Sequence, residues 1–404
     1  MKLYTSSSAI VFLFCVFLST AAAEAPTVNA RAAALIDATT GTMLYAKNPD
    51  LALPPASLAK LVTLHVAFQE LKAGRLSESE LIEIDPRDTS PAIPYGSSIM
   101  YLHPKMKVSV KDLMLGAAVV SGNDAAYTLA RRIAGSNDSF AIMMNRAVQE
   151  MGLDGLVFVE PSGLSERNLV SARQFAQFCR FYLAQNPESL AALHSVKSIE
   201  FPRAEHSAPG FVPEGRIIQY NRNPLIFSYP GADGLKTGYI IEVGFNMAAT
   251  AKRGDTRFIV VTLGGTGSSY AGGGLQRTKD TARLLDWAFE NFVTTSLDLG
   301  TIPQPRVWFG SKRRVTLVPA LPNAVTAPID QVDKVSVRLS IPKSIRAPLA
   351  KGDRVGRIIY SIGGTDVSSI DLVTTEAILR GNFLRRLIDG FLKVFYDLFG
   401  GSRS

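Results

Sequence analysis

The sequence predicts a mixed α/β (α+β) domain, followed by a small all-β domain and a terminal amphipathic helix. Three observations lead to this fold class. Strand-like segments lie at both ends of the first 295 residues, with helix-like segments between them, as in a single mixed domain. Short β-type runs broken by Gly and Pro follow from about residue 300. The last apolar pattern of the chain has helical spacing.

The composition indicates a folded chain that does not bind nucleic acid. Hydrophobic residues make up 47% of the 404 residues and charged residues 19%, which is an ordinary globular balance. The net charge of +8 is compatible with nucleic acid, an anionic membrane or an acidic polymer as a partner. Because the sequence has no dense Lys/Arg run and no alternation of aromatic and basic residues, nucleic acid is not expected.

Residues 1–23 have the features of a secretory signal peptide. The apolar run Ile10–Leu18 is followed by small residues, and cleavage is expected after Ala23 or Ala25. Removal of this segment leaves Cys179 as the only cysteine, so that no internal disulfide is expected.

We assign the first domain to residues 27–295 and predict its elements from periodicity and turn signals. Ala32–Ala46 is predicted to be a β-hairpin, because Ala-Thr-Thr-Gly separates two strand-like runs. The remaining predicted elements are a helix after Pro54-Pro55, helices within 109–152 and 172–185, strands at 246–251 and 257–263, and a helix at 277–292. The Gly-rich segment 264–274 fits no nucleotide-binding pattern and is predicted to be a loop.

The small β-sandwich domain is assigned to 300–378 and the terminal helix to 380–401. Between Phe383 and Phe399, apolar residues follow a helical stripe that includes four phenylalanines, and charged residues take the opposite face. Five charges in 17 residues are incompatible with a membrane span, so we expect the helix to lie on a membrane surface. The alternative is a terminal helix that docks on its own domain.

The segment Ser57-Leu-Ala-Lys60 carries the strongest chemical signal. A serine hydroxyl is a weak nucleophile that needs a base, and a spacing of three places both side chains on one helical face. The stripe continues into apolar residues, so Lys60 is expected to face the core. Loss of hydration would lower the pKa of Lys60, and the neutral amine could then accept the Ser57 proton.

Two further motifs follow in the chain. Ser121-Gly-Asn123 is predicted to form a tight bend between helices, where a hydroxyl can relay a proton and an amide can hold a substrate carbonyl. Lys236-Thr-Gly238 is predicted to lie on a sheet strand, where a cation and a hydroxyl suit a substrate carboxylate. Each motif is weak alone, but the three in this order form a specific signature.

These motifs are those of penicillin-binding proteins and class A β-lactamases. The chain as a whole resembles the low-molecular-mass D-alanyl-D-alanine carboxypeptidases of the penicillin-binding family. Similar segments run through nearly its whole length: Pro55–Lys60, Tyr95–Met100, Ser121–Ala125, Asp233–Gly238, Leu284–Phe289 and Arg306–Gly310. The resemblance implies a β-lactamase/transpeptidase-like fold for the catalytic domain.

The resemblance also implies a two-step acyl transfer without a cofactor or a metal. Ser57 would attack the penultimate D-alanine of a peptidoglycan pentapeptide stem, and water would then hydrolyse the acyl-enzyme. Lys60 would be the general base, and Ser121 the proton relay. The implied substrate-binding residues are Asn123, Lys236, Thr237, Gly238, Tyr239 and Arg277, with the backbone N–H groups of Ser57 and Tyr239 as the oxyanion hole. β-Lactam antibiotics would acylate the same serine.

The signal peptide, the resemblance and the terminal helix together imply a protein at the periplasmic face of the inner membrane. Two other functions stay open. A class A-like β-lactamase needs a carboxylate for deacylation, and Glu160 is a candidate, although the segment Phe158–Leu164 around it resembles a loop of the carboxypeptidases more closely. A non-catalytic penicillin-sensing or peptidoglycan-binding module could share the fold. A metallopeptidase is not expected, because the four histidines have no ligand spacing.

Overall fold

The protein is described by a computed structural model that covers residues 24–212 and 217–399. The predicted signal peptide, residues 1–23, lies outside the described residues. The described chain forms two compact units, of which one ends at Glu290 and the other begins at Asn291. Within the described ranges, no helix is both long enough and apolar enough to cross a bilayer. The domain boundaries at 27–295 and 300–378 stay predictions.

The first unit combines a central sheet with surrounding helices. Its strands are β1 (Ala32–Asp37), β2 (Met43–Lys47), β3 (Leu81–Glu83), β4 (Lys107–Ser109), β5 (Ser198–Glu200), β6 (Ile218–Tyr220), β7 (Ala232–Ile240), β8 (Gly244–Arg253) and β9 (Thr256–Gly265). Its helices are α1 (Lys60–Lys72), α2 (Val110–Leu115), α3 (Asn123–Ala134), α4 (Asn137–Glu150), α5 (Ala172–Gln185), α6 (Leu225–Ser228) and α7 (Tyr270–Asn291).

The central sheet is antiparallel and has the strand order β2-β1-β9-β8-β7. Strands β1 and β9 are near-continuous apolar runs, and their residues are buried almost throughout. A strand of this kind is covered on both faces. Helix α5 packs against β1 and β9, and α1 packs against α3 and α4. The sequence therefore predicted the mixed α/β class correctly: the central sheet combines strands from the beginning and from the end of the unit, and helix α7 closes it.

The turn that carries Ser57 differs from the prediction in detail. Ser57 and Lys60 were both expected in the first turn of a helix after Pro54-Pro55, but a 3-10 turn spans Ala56–Ala59 and α1 begins only at Lys60. Ala56 has a φ of 49°, which is unusual for a residue with a Cβ atom. Ala56 is the first residue of the 3-10 turn, and Ser57 therefore lies in this tighter turn rather than in the α-helix.

The Gly-rich segment 264–274 corrects another prediction, because only residues 266–269 form a loop and strand β9 extends to Gly265. Helix α7 already begins at Tyr270 and includes Gly273. A Cβ atom on Gly273 would lie 2.0 Å from a ring carbon of Phe245. This glycine therefore lets the helix approach β8 closely. Glycine occurs at this position because the packing of α7 on β8 leaves no room for a side chain, and not because the segment is a loop.

The second unit is all-β and ends in a helix. Its strands are β10 (Phe292–Thr295), β11 (Arg306–Trp308), β12 (Leu317–Pro319), β13 (Val325–Pro328), β14 (Val335–Ser340), β15 (Ser344–Arg346), β16 (Arg354–Ile362) and β17 (Thr365–Thr374), and its helix is α8 (Phe383–Phe399). Four strands form an antiparallel sheet in the order β12-β17-β16-β14. The pairs β10–β13 and β11–β15 complete the unit. The predicted all-β class and terminal helix are both present.

Helix α8 contacts the β domain through its polar side. The Asp389 carboxylate accepts a hydrogen bond from the Phe309 backbone N–H at 2.8 Å and pairs with Arg306 at 3.6 Å. The Tyr396 ring meets the Trp308 indole edge-on, with the centroids 5.5 Å apart. Strand β11 and the residue after it therefore form the docking surface for α8.

The apolar side of α8 remains exposed. Among the residues of α8 whose side chains the structure describes, the exposed fraction ranges from 44% to 78% for the large apolar ones Phe383, Leu384, Leu387, Ile388, Phe391, Leu392, Val394 and Phe395. A monomeric protein in water rarely exposes so many contiguous apolar side chains, and such a surface marks an interaction site.

Substitution of Gly273 by alanine tests the packing of α7 against β8. The new methyl group would overlap Phe245, and we expect Gly273→Ala to lower the free energy of unfolding by about 1–3 kcal/mol. Gly274→Ala is the matched control, because its methyl group would meet no atom closer than 3.9 Å. We expect the control to raise the free energy of unfolding by about 0.5–1 kcal/mol, since alanine favours a helix. Urea denaturation of both variants measures the free energy of unfolding and shows whether it falls in one and rises in the other. Equal changes in the two variants would contradict the packing explanation.

Candidate active site

The turn with Ser57 lies directly against strand β7. A Cβ atom on Gly238 would lie 2.9 Å from the Pro55 carbonyl oxygen and 3.1 Å from the Ser57 backbone nitrogen. Only glycine permits this approach, which brings the Lys-Thr-Gly segment to the Ser-x-x-Lys turn. The Asn246 side chain on β8 donates to the Pro54 carbonyl at 2.9 Å and so fixes the same turn to the sheet.

The Lys60 amine is fully buried and contacts three oxygen atoms. Its Nζ lies 3.1 Å from Ser57 Oγ, 2.6 Å from Asn123 Oδ1 and 2.7 Å from the Ser162 carbonyl oxygen. These partners come from the Ser57 turn, from the beginning of α3 and from the loop before α5. The sequence-predicted residues Ser57, Lys60 and Asn123 are therefore in direct contact.

Burial lowers the pKa of Lys60 from 10.5 to about 7. The negative charges of Glu160 and Asp124 oppose this shift. A pKa near 7 leaves a substantial fraction of the amine neutral at neutral pH. The expectation that a core-facing lysine has a lowered pKa agrees with this environment.

Ser121 occupies an irregular backbone position at the end of a π-helical turn, Gly116–Val120. Its φ is 66°, in the left-handed region that residues with a Cβ atom rarely adopt. The residue is 4% exposed and precedes Asn123 by two positions. Among the described residues, the Ser121 hydroxyl donates to neither Ser57 nor Lys60, whereas Asn123 contacts Lys60 directly.

Asp124 organises the segment that borders this bend. Its carboxylate accepts hydrogen bonds from the backbone N–H groups of Met100, Leu102 and Ala125 at 2.9–3.1 Å. The adjacent Asn123 N–H donates to the Ser98 carbonyl at 2.9 Å. Burial raises the pKa of Asp124, and these backbone donors oppose the rise. The carboxylate thus joins the Ser-Gly-Asn bend to the 98–102 segment.

Lys236 is a second buried cation close to Lys60. It is 1% exposed, and its Nζ donates to the Thr237 carbonyl at 3.1 Å. Burial holds the pKa of Lys236 well below its usual value, and the charges of Lys60, Arg277 and Arg222 lower it further. The Thr237 hydroxyl donates to the Arg222 carbonyl at 3.4 Å. Cationic side chains therefore surround the Lys-Thr-Gly segment, as an anionic ligand requires.

Tyr239 lies near the end of β7, and the Arg277 side chain reaches this strand from helix α7. The Arg277 guanidinium donates to the Gly238 and Asn246 carbonyls at 3.3 and 3.4 Å. Burial lowers the pKa of Arg277 to about 10, so it stays charged at neutral pH. The centroid of the Tyr239 ring lies 4.6 Å from that of Phe245 and 5.0 Å from that of Tyr270. These contacts form an aromatic cluster directly after the Lys-Thr-Gly segment.

Sequence reasoning missed three contributors to this site. The Ser162 carbonyl has no sequence signal, because every residue carries a main-chain carbonyl. Asp124 follows the Ser-Gly-Asn motif directly, and this position was a possible signal. Arg222 comes near Lys236 only through folding, and its side chain is exposed beside β7. Cys179, by contrast, is fully buried in α5, as expected.

Comparison with protein families gives two matches that together span most of the chain. Residues 19–267 match the D-alanyl-D-alanine carboxypeptidase family. Residues 299–380 match the family described as the C-terminal domain of penicillin-binding protein 5. The predicted resemblance is thereby confirmed, and so is the fold class.

Individual relatives agree with the family matches. D-alanyl-D-alanine carboxypeptidase DacC of Escherichia coli strain K12 is 35% identical, over 98% of this chain and 96% of the relative. DacA of Haemophilus influenzae is 32% identical, over 93% and 91% of the two chains. The crystal structure of penicillin-binding protein 5 from Haemophilus influenzae has a TM-score of 0.75 at 32% identity, and it covers 88% of this chain and 99% of that chain.

Substitution of Asp124 by asparagine tests its role in holding the 98–102 segment. The amide would present N–H groups to backbone donors, and we expect Asp124→Asn to lower the free energy of unfolding by about 2–4 kcal/mol. We also expect faster hydrogen exchange at the Met100 and Leu102 amides. The exposed Asp154 provides the control, since Asp154→Asn should change neither quantity. Unchanged exchange at both amides in Asp124→Asn would contradict this role.

Proposed function

This chain belongs to the D-alanyl-D-alanine carboxypeptidase family, and on that premise we propose that it removes the terminal D-alanine of peptidoglycan pentapeptide stems through an acyl-enzyme on Ser57. The prediction of a serine peptidase is confirmed by this membership. The family match and the names of the relatives support neither of the two alternatives, a class A-like β-lactamase and a non-catalytic module.

The environment of the Lys60 amine carries the proposal. Two of its three contacts, Asn123 Oδ1 and the Ser162 carbonyl oxygen, are oxygens that can only accept hydrogen bonds. The third contact is the Ser57 hydroxyl, which can donate. A neutral amine has two N–H groups and one lone pair. Its two N–H groups match the two acceptors, and its lone pair is left to accept the Ser57 proton.

The reaction follows from this arrangement in two steps. In the first, Ser57 Oγ forms a bond to the carbonyl carbon of the penultimate D-alanine while its proton passes to Lys60. The C–N bond to the last D-alanine then breaks, and Ser121 relays the proton to the leaving amine. In the second step, water attacks the ester carbonyl carbon, the bond from this carbon to Ser57 Oγ breaks, and a proton of the water passes to Ser57 Oγ. The Ser57 and Tyr239 backbone N–H groups would stabilise the oxyanion in both steps.

The charges around β7 support recognition of the terminal carboxylate of the substrate. Lys236 precedes Thr237 on β7, and the charges of Arg277 and Arg222 both act on Lys236. The Thr237 hydroxyl can bind a carboxylate oxygen. Arg277 adds a positive charge nearby, and only its Nη1 donates to backbone carbonyls, while its buried Nε has no hydrogen-bond partner among the described residues. We therefore propose that Lys236 and Thr237 bind the carboxylate directly, and that Arg277 and Arg222 provide further positive charge beside it.

Acylation by β-lactams is part of the same proposal. Penicillin-binding protein D2 of Listeria monocytogenes, solved in an ampicillin-bound form, is 27% identical with a TM-score of 0.54, and it covers 65% of this chain and all of its own. A β-lactam has a reactive carbonyl and a carboxylate, so it would occupy the same positions as the end of the stem peptide. We propose that it acylates Ser57.

We also propose that α8 attaches the protein to the periplasmic face of the inner membrane. The exposed apolar side of the helix, which runs from Phe383 to Phe395, fits the interfacial region of a bilayer. Its polar side is occupied by the contacts of Asp389 and Tyr396 with the β domain. Docking on its own domain and binding to a membrane are therefore compatible, because they use opposite sides of one helix.

Mass spectrometry of the intact protein with benzylpenicillin tests the acyl-enzyme. We expect a covalent adduct that persists for minutes or longer and maps to Ser57. Ser57→Ala should give no adduct, and Lys60→Ala should slow acylation by about 10³-fold or more while the protein remains folded. The exposed Ser228 of α6 provides a control, because Ser228→Ala should react normally. Catalytic consumption of the drug without a detectable adduct would indicate the β-lactamase instead.

Vesicle sedimentation tests the role of α8. We expect the full chain to bind vesicles of phosphatidylethanolamine and phosphatidylglycerol, and a variant without residues 380–404 to remain in the supernatant with full activity. The double substitution Leu387→Ser/Phe391→Ser removes two exposed apolar side chains and should weaken binding about tenfold or more. Val318→Ser, at an exposed apolar residue of the β domain, should bind like the unaltered protein. Sedimentation of the truncated variant with vesicles would refute the anchor.

A further inference from the structure

The loop between α4 and α5 is organised around one carboxylate. Glu160 Oε2 accepts hydrogen bonds from the Ser162 backbone N–H at 2.7 Å and from its hydroxyl at 2.6 Å. Glu160 Oε1 accepts from the Gly163 N–H at 2.7 Å, the Ser165 N–H at 3.2 Å and Asn168 Nδ2 at 2.6 Å. Five donors thus converge on one side chain, and the loop folds around it.

This loop contacts both residues of the Ser-x-x-Lys motif. The Ser162 carbonyl accepts a hydrogen bond from Lys60 Nζ at 2.7 Å. A Cβ atom on Gly163 would lie 1.9 Å from the Ala56 carbonyl oxygen and 2.9 Å from the Ser57 backbone nitrogen. Any shift of the loop would therefore move an acceptor of Lys60 and disturb the turn that carries Ser57.

We propose that Glu160 is a positioning residue for acyl transfer: its carboxylate holds the 160–168 loop so that the Ser162 carbonyl fixes the Lys60 amine beside Ser57. The inference rests on the proposed function, in which Lys60 is the general base. Glu160 touches neither Ser57 nor Lys60 and acts through the loop and through its charge.

The hydrogen bonds of Glu160 exclude the role that a deacylating carboxylate would have. Such a group must keep a lone pair free for the attacking water. Each Glu160 oxygen already accepts at least two hydrogen bonds from the loop, so both are saturated. Glu160 was the candidate for the deacylating carboxylate of a class A-like β-lactamase. Its hydrogen bonds instead hold the loop whose Ser162 carbonyl contacts Lys60.

The charge of Glu160 has a second effect on Lys60. It raises the pKa of Lys60 against the effect of burial, and Asp124 at the beginning of α3 does the same. On the β7 side, the positive charge of Lys236 faces Lys60. Tyr127 of α3 lies near the loop and stays neutral, since burial raises its pKa to about 12. Glu160 therefore helps to set the pH at which Lys60 loses its proton.

The pH dependence of acylation by a fluorescent penicillin tests the inference in Glu160→Gln. In the unaltered protein, the second-order rate should rise with pH through a midpoint near 7, because the neutral Lys60 amine is the base. In Glu160→Gln we expect the midpoint to fall by about one pH unit, since a negative charge near Lys60 is removed. The plateau should fall about tenfold to a hundredfold, because the loop loses hydrogen bonds and Lys60 loses its fixed position.

Glu166→Gln is the matched control. Glu166 lies in the same loop and is exposed, so its substitution removes the same charge without breaking the hydrogen bonds of Glu160. We expect both its midpoint and its plateau to equal those of the unaltered protein. An effect of net charge alone would shift both variants equally and would overturn the inference.

The midpoint does not depend on the fraction of active protein, so a partly folded Glu160→Gln preparation still gives an answer. An unchanged midpoint in this variant would overturn the inference. Glu160→Asp keeps the charge but shortens the side chain, and it should lower the plateau with little change in the midpoint. An unaltered plateau in Glu160→Asp would overturn the positioning role. A protein without substitutions that shows no acidic limb would contradict the base role of Lys60, and thus the proposed function itself.

Discussion

Lys60 is removed from water entirely, and the surrounding structure is arranged around this constraint. A buried amine needs acceptors for its N–H groups, and no single element supplies them. Helix α3 provides Asn123, the loop before α5 provides the Ser162 carbonyl, and the Ser57 turn provides the hydroxyl. Helices that are separate in the chain must therefore meet at one point. The helices of the first unit, with the loop before α5, hold the Lys60 amine beside the Ser57 hydroxyl. The sheet provides strand β7, which lies against the same turn.

The sheet contributes through the close approach of one strand. Gly238 lets β7 lie against the Ser57 turn, and this contact places Lys236 and Thr237 beside the nucleophile. The left-handed conformation of Ser121 and the positive φ of Ala56 occur on the helical side of the same site. Irregular backbone geometry concentrates where the chain has to present functional groups, as is common at active sites.

Local patterns in the sequence predicted much of this arrangement. The spacing of Ser57 and Lys60 placed both on one face, and the apolar stripe placed Lys60 in the core. Features that depend on distant partners were not predictable. Gly273 appeared to belong to a loop because its partner Phe245 is remote in sequence, and Glu160 was considered only as a possible catalyst because its five donors come together only when the loop folds. A main-chain acceptor such as the Ser162 carbonyl leaves no trace in the composition.

The contacts of Asp389 with Arg306 and with the Phe309 N–H would determine how the β domain is oriented on a membrane. A free amphipathic helix on a flexible tether could roll about its axis, and its domain could then present any side to the lipid. The contacts of Asp389 and Tyr396 prevent this rolling. On a bilayer, the exposed phenylalanines would face the lipid, and the β domain would be held in a single orientation above the surface. The terminal helix would then determine the orientation of the β domain at the membrane, because its contacts with that domain fix which side of the helix faces the lipid.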